Sequence, residues 1–267
     1  MFMRNNEESG ITKFLLRIKP LHVFALYFII LLICIIAIIL IDLLNVGGLR
    51  SYMEAIGMGS PRVWAQLFGT GGPIEIIQAL FLGLLGLLSM FVSGRMIERG
   101  QNRLGSFWFL IGLFALVLFM EEAANLNTRF GEYISYLPID LSGTATKTIP
   151  YLFYLGFALI PVLLYFKDIY KYKQTSRYLF AGYFVYGFIG MQSALHKVIR
   201  RDIIGDFIFF DLLDGSLYFY SATGEDLGNL FMDLVFEEPF ELLAICLLLC
   251  SLFTFMRAMN SYGTIES

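Results

Sequence analysis

Charge is what this chain has least of. Only 15% of its 267 residues are Asp, Glu, Lys or Arg, while 58% are apolar; soluble domains carry about 25% charged and about 45–50% apolar residues. A water-soluble globular domain is excluded, and the composition is that of an integral membrane protein. Histidine is scarcer still, with two residues, His22 and His196, far apart in the chain. The three cysteines, Cys34, Cys246 and Cys250, all fall inside apolar runs, which suggests neither a disulfide framework nor a zinc knuckle. They read as small packing residues. There is no HExxH or Glu-x-x-His spacing, no nucleophile motif, no phosphate loop, and no lysine in the last apolar run for a retinal link. The sequence assigns no cofactor either way, and no nucleic-acid partner is expected; the expected partner is the lipid bilayer, with a cation or a lipid as candidate ligand and protein partners left open.

What is present is length of apolar chain. Crossing a hydrocarbon core of about 30 Å takes roughly 20 mostly apolar residues, and six stretches qualify: Leu21 to Leu44, Ile74 to Ser93, Leu104 to Ala123, Ile149 to Phe166, Tyr178 to His196 and Pro239 to Met256. The expected fold is all-α, a polytopic six-transmembrane helix bundle. The first run is too long for a signal-peptide apolar region and lacks a small-residue cleavage site, so it is expected to stay as an anchor. Of the 19 Lys and Arg, 12 fall on the side of the amino terminus and 7 on the other. The positive-inside rule then puts both termini in the cytoplasm of a plasma membrane.

On this topology residues 1–20 form a cytoplasmic amphipathic arm, 21–257 the transmembrane domain and 258–267 a cytoplasmic tail. Within the arm, Ile11, Phe14, Leu15 and Ile18 recur at helical spacing among Lys13, Arg17 and Lys19. That suits either a helix on an anionic lipid surface or a plain basic flank. Residues 45–73, rich in glycine, predict an external loop with some local helix. The last external loop, 198–236, holds FIFFDLLDGSLYFYS, whose Asp214-Gly215 suggests a small hairpin, with an interfacial helix as the rival. A helical pattern then restarts near Gly224 and continues through Pro239, which is expected to kink it. In the second run Gly83, Gly86 and Ser89 are spaced three apart, with Ser93 four beyond; small residues at that spacing let helices approach closely.

Sorting polar residues by depth gives one outer layer. Glu75 and Gln78 open the second run; Glu121, Glu122 and Asn125 close the third; His196, Arg200 and Arg201 leave the fifth; Glu237, Glu238 and Glu241 enter the sixth. Asp42 and Asn45 end the first, and the fourth offers Tyr151 and Tyr154. Glu237 and Glu238 suit the amino end of a helix, where the dipole favours negative charge. Glu121 and Glu122 sit at a carboxyl end, where it disfavours them, and Glu241 lies one turn inside the last run; these three need partners. On helices of about 100° per residue, each set of three polar residues spans an arc about 100° wide. Two such arcs predict convergence on one site, with His196, Arg200 and Arg201 as candidate counter-charges.

FALVLFMEEAANLNTRFGEYI and LVFEEPFELLAICLLL together resemble an uncharacterised family of bacterial multi-span membrane proteins. In that family an apolar helix ends in Ser-Leu-Asp-Glu, a His-Glu-Arg stretch follows, and the last helix opens with Glu-Glu-x-x-Glu. The resemblance maps Glu121-Glu122 onto the Asp-Glu pair, Arg129 onto the arginine, and Glu237, Glu238 and Glu241 onto the last motif, and it implies a bacterial inner membrane. The chain departs at Asn127-Thr128, where the family has His-Glu, so the metal ligands that the resemblance would supply are missing. Three function classes stand: an accessory, assembly or sensory membrane protein in which the glutamates lock the bundle; an outward-facing site for a cation, a proton or a cationic solute; and a membrane-embedded enzyme acting on a lipid or lipid-linked substrate.

Overall fold

Two helical hairpins clasp a long final helix. The computed structural model describes residues 10–56, 63–69, 71–124, 126, 129, 143–194 and 236–263, and their regular structure is helical throughout. The helices are α1 (Gly10–Arg17), α2 (Pro20–Ala37), α3 (Leu49–Ala55), α4 (Val63–Phe68), α5 (Pro73–Glu98), α6 (Asn102–Ala124), α7 (Gly143–Ile169), α8 (Lys173–Ala194) and α9 (Glu238–Gly263). Four stretches, Pro20–Asp42, Gln66–Glu98, Asn102–Ala124 and Glu238–Asn260, are long and apolar enough to cross a membrane. The expected hairpin at Asp214-Gly215 and the helical restart near Gly224 lie outside the described residues, and the tail expected from residue 258 is helical as far as Gly263.

Local chemistry sets the helix ends. Pro20 opens α2, and His22 Nδ1 accepts the Lys19 N–H at 3.2 Å, closing an otherwise orphaned donor of the first turn. At its far end α2 widens into a π-helix, Ile38–Leu43, with the Leu44 N–H reaching back to Ile39 O at 3.0 Å. The wide turn carries Asp42 inward, to 1% exposure. Its Oδ1 accepts the Val63 N–H at 2.8 Å and its carbonyl takes Arg50 Nη1 at 2.8 Å. Asp42 therefore ties the loop of α3 and α4 to α2, a role that its place in the expected polar layer did not suggest.

α5 and α6 form the tightest pair. Their turn closes on Gly100 at φ 74°, with Gly100 N–H to Ile97 O at 2.9 Å and Gln101 N–H to Met96 O at 2.9 Å, a left-handed helix stop that glycine adopts without steric cost. Along the seam a Cβ on Gly112 would lie 3.0 Å from Gly86 O. The small-residue spacing in α5 is thus a close-packing surface. α7 and α8 make the second hairpin, turning at Tyr170–Tyr172, where Ser176 Oγ caps Ile169 O at 2.7 Å. α9 packs along α8 and α5 and touches α2. Nearly all of its apolar surface is inside, and Trp108 of α6 lies 5.0 Å from Phe255. All three cysteines are free and buried.

α1 divides the face expected to meet lipid. Leu15 and Thr12 are buried against the bundle, with Arg95 Nη2 3.4 Å from Thr12 Oγ1, while Phe14 stays 64% exposed.

Candidate functional site

The carboxylates gather at one end of the bundle, opposite the turns α5–α6 and α7–α8. α5 runs towards those turns and α6 back from them, so Glu75 near the start of α5 and Glu121-Glu122 near the end of α6 reach the same level. α9 runs parallel to α5, and Gln78 Nε2 donates to Glu238 O at 2.8 Å, fixing Glu238 beside the second turn of α5. Phe236 and Glu237 form a π turn leading into α9. A widened turn is what a proline two residues on permits, since Pro239 has no N–H to close a tight one.

Glu122 is the hub. It stands within electrostatic reach of Glu75, Glu121 and Glu237, and also of Glu238 and Glu241. Glu241, the deepest, faces Glu122, Glu238, Glu237 and Glu121. All five glutamates of α6 and the α9 entry are half-buried. The glutamates of the two arcs therefore stand within electrostatic reach of one another, and Glu75 joins them. Glu75 also accepts the Gly71 N–H, an acid in the first turn of its helix where the dipole favours it.

Tyrosines supply the remaining walls. Tyr154 of α7 donates to Glu121 Oε2 at 2.7 Å, the partner that the unfavourable helix end demanded. Tyr186 of α8 faces Glu241, Glu122, Glu121 and Glu238. Tyr27 of α2 donates to Pro239 O at 3.2 Å. Tyr27 and Tyr186 were not singled out from sequence; Tyr186 alternates with phenylalanines in YFVYGF, which hides it in an aromatic run. Asn125, Tyr151, His196, Arg200 and Arg201 lie outside the residues whose side chains are described, and Arg129 is exposed.

Among the described residues the ion pairs are those of Arg103 and Lys171 with Asp168 at the opposite end, and none involves Glu122, Glu238 or Glu241. Nor do three His, Cys, Asp or Glu side chains group as metal ligands among the described residues. Two carboxylates about 5 Å apart repel by about 3 kcal/mol at an effective dielectric of 20. That exceeds the net worth of a typical hydrogen bond, about 1 kcal/mol, so a single hydrogen bond does not offset such a repulsion.

Fold and site together define an all-helical, membrane-embedded protein with a half-buried glutamate cluster at one end of its bundle. No protein-family model, curated protein or solved structure matches the chain.

Proposed function

We propose that this is a multi-pass protein of a bacterial plasma membrane whose glutamate cluster binds a proton or another cation from the extracytoplasmic side. α7 and α8, of 27 and 22 residues, join the four apolar helices as fifth and sixth spans. At 1.5 Å per residue each covers about 30 Å or more. The basic turns then face the cytoplasm together with both termini. One observation carries the functional reading: carboxylates from three helices converge on Glu122, and no described cation pairs with Glu122, Glu238 or Glu241. A sensory or accessory role is compatible with this and differs only in the event that binding triggers. The resemblance to the family with the terminal Glu-Glu-x-x-Glu helix is consistent with the site's position.

The test is the melting of purified protein in lipid nanodiscs against pH and a panel of sodium, potassium, magnesium, calcium and tetramethylammonium salts. A ligand at 100 times its dissociation constant adds about 2.7 kcal/mol, a shift of several degrees at about 2–4 °C per kcal/mol. Glu122→Gln and Glu241→Gln are expected to abolish that shift. Wild-type melting indifferent to pH and to every cation would overturn the reading.

A further inference from the structure

Taking the cluster as a seat for positive charge, as proposed above, we infer that its occupant beside α5 is a proton, carried by the Glu238 carboxyl and held in place by Gln78.

Gln78 is wholly buried, at 0% exposure. Its amide orientation is fixed by chemistry: a backbone carbonyl only accepts, so the atom 2.8 Å from Glu238 O must be the nitrogen. The same amide also donates to the Glu238 carboxyl. Two acceptors are left over, for Gln78 Oε1 and Glu238 Oε2 are both buried without a hydrogen-bond partner among the described residues. Each such oxygen costs about 1–3 kcal/mol. A native membrane protein does not carry that pair of costs on adjoining side chains without something to relieve them.

The neighbouring groups narrow what relieves them. Around Glu238 stand Glu75 of α5, Glu122 of α6, Glu237 and Glu241 of the α9 entry, Tyr186 of α8 and Tyr27 of α2. Among the described residues these neighbours are all acids or phenols. A metal ion of the alkaline-earth type demands about six oxygens or more. Among the described residues no three of these carboxylates group closely enough to hold one. A proton needs only one oxygen to carry it and one to accept. Bound to the Glu238 carboxyl, it turns the buried, unpartnered Oε2 from an acceptor into a hydroxyl and lowers the negative charge of the cluster by one.

The measurement is infrared spectroscopy of the full-length protein in lipid nanodiscs at neutral pH, reading the carbonyl stretch of a protonated carboxylic acid. The wild type is expected to show such a band, Glu238→Gln to lose it, and Gln78→Leu to keep it at higher frequency. Glu238→Gln restores a donor and an acceptor at the same place, so it is expected to fold and to melt near the wild type. Absence of any acid band that Glu238→Gln removes would overturn the assignment, as would a band that sodium or potassium displaces. If that band is absent while Glu122→Gln still abolishes cation-dependent melting, the proton assignment falls and the cluster reading stands. If the band is present while melting ignores every metal and ammonium cation, the proton assignment holds and the cluster takes a proton alone.

Discussion

At the scale of single residues, two contacts carry different kinds of work. Tyr154 OH meets Glu121 Oε2 at 2.7 Å, a charge-assisted hydrogen bond of the short, strong kind. Tyr154→Phe keeps the ring and removes the donor, so it is expected to lower stability by about 2 kcal/mol. A double-mutant cycle with Glu121→Gln checks it, with a coupling energy well above zero as the expected result. Asp42 works elsewhere. Its carboxylate holds the Val63 N–H, and Asp42→Ala is expected to cost about 1–3 kcal/mol by leaving that donor unmet, with proteolysis rising first in the α3–α4 segment. Cation-dependent melting is expected to persist in Asp42→Ala, because Asp42 is not among the groups that face Glu122.

Among elements, the α5–α6 seam separates glycines that matter from those that do not. A Cβ on Gly112 would stand 3.0 Å from Gly86 O, a backbone atom that cannot swing aside, whereas one on Gly94 meets nothing within 4 Å. Gly112→Ala is therefore expected to destabilise by about 1–3 kcal/mol, and Gly94→Ala to be neutral or stabilising by up to about 1 kcal/mol. Thermal melting of the two variants side by side decides it. The seam was legible in advance because residue spacing alone puts Gly83, Gly86 and Ser89 on one face. That Glu121, Glu122 and Glu241 need partners was legible for a similar reason: a helix dipole penalises the first two and an apolar run the third, and Tyr154 is the partner that Glu121 finds. The π turn after Ala37, the burial of Leu15 and the place of Tyr186 were not legible. Each depends on which neighbour an element meets, and periodicity records only how a helix presents its own faces.

On the scale of the whole molecule, the two ends carry opposite charge chemistry. At the end away from the glutamates, Arg103 Nε donates to Asp168 Oδ2 at 2.7 Å and Lys171 approaches at 3.6 Å. The Arg103 hydrogen bond holds the Asp168 carboxyl below its ordinary value of 3.8. A carboxyl depressed in the folded state adds stability that is fully present above its unfolded value and lost as pH falls through the folded one. The melting curves of wild type and Asp168→Asn are therefore expected to differ slightly at neutral pH and to converge in acid below 3.8. The pair is solvent-exposed, so the difference stays small and shrinks in salt.

The two ends also make the orientation testable. If the basic turns face the cytoplasm, a cysteine at Lys171 is shielded from a membrane-impermeant thiol reagent in intact cells and reacts in inverted vesicles. A cysteine at Tyr52 in α3, which is 63% exposed at the glutamate end, behaves oppositely. The native cysteines are buried, and a thiol reacts as its accessible thiolate, so their background is low. The result bears on the site as much as on the topology. A cluster at the extracytoplasmic end meets the pH and ions of the surroundings, whereas the same cluster turned inward meets a buffered cytoplasm. Labelling of Lys171→Cys from outside, with Tyr52→Cys protected, would invert the bundle and make the glutamates a sensor of the cell interior.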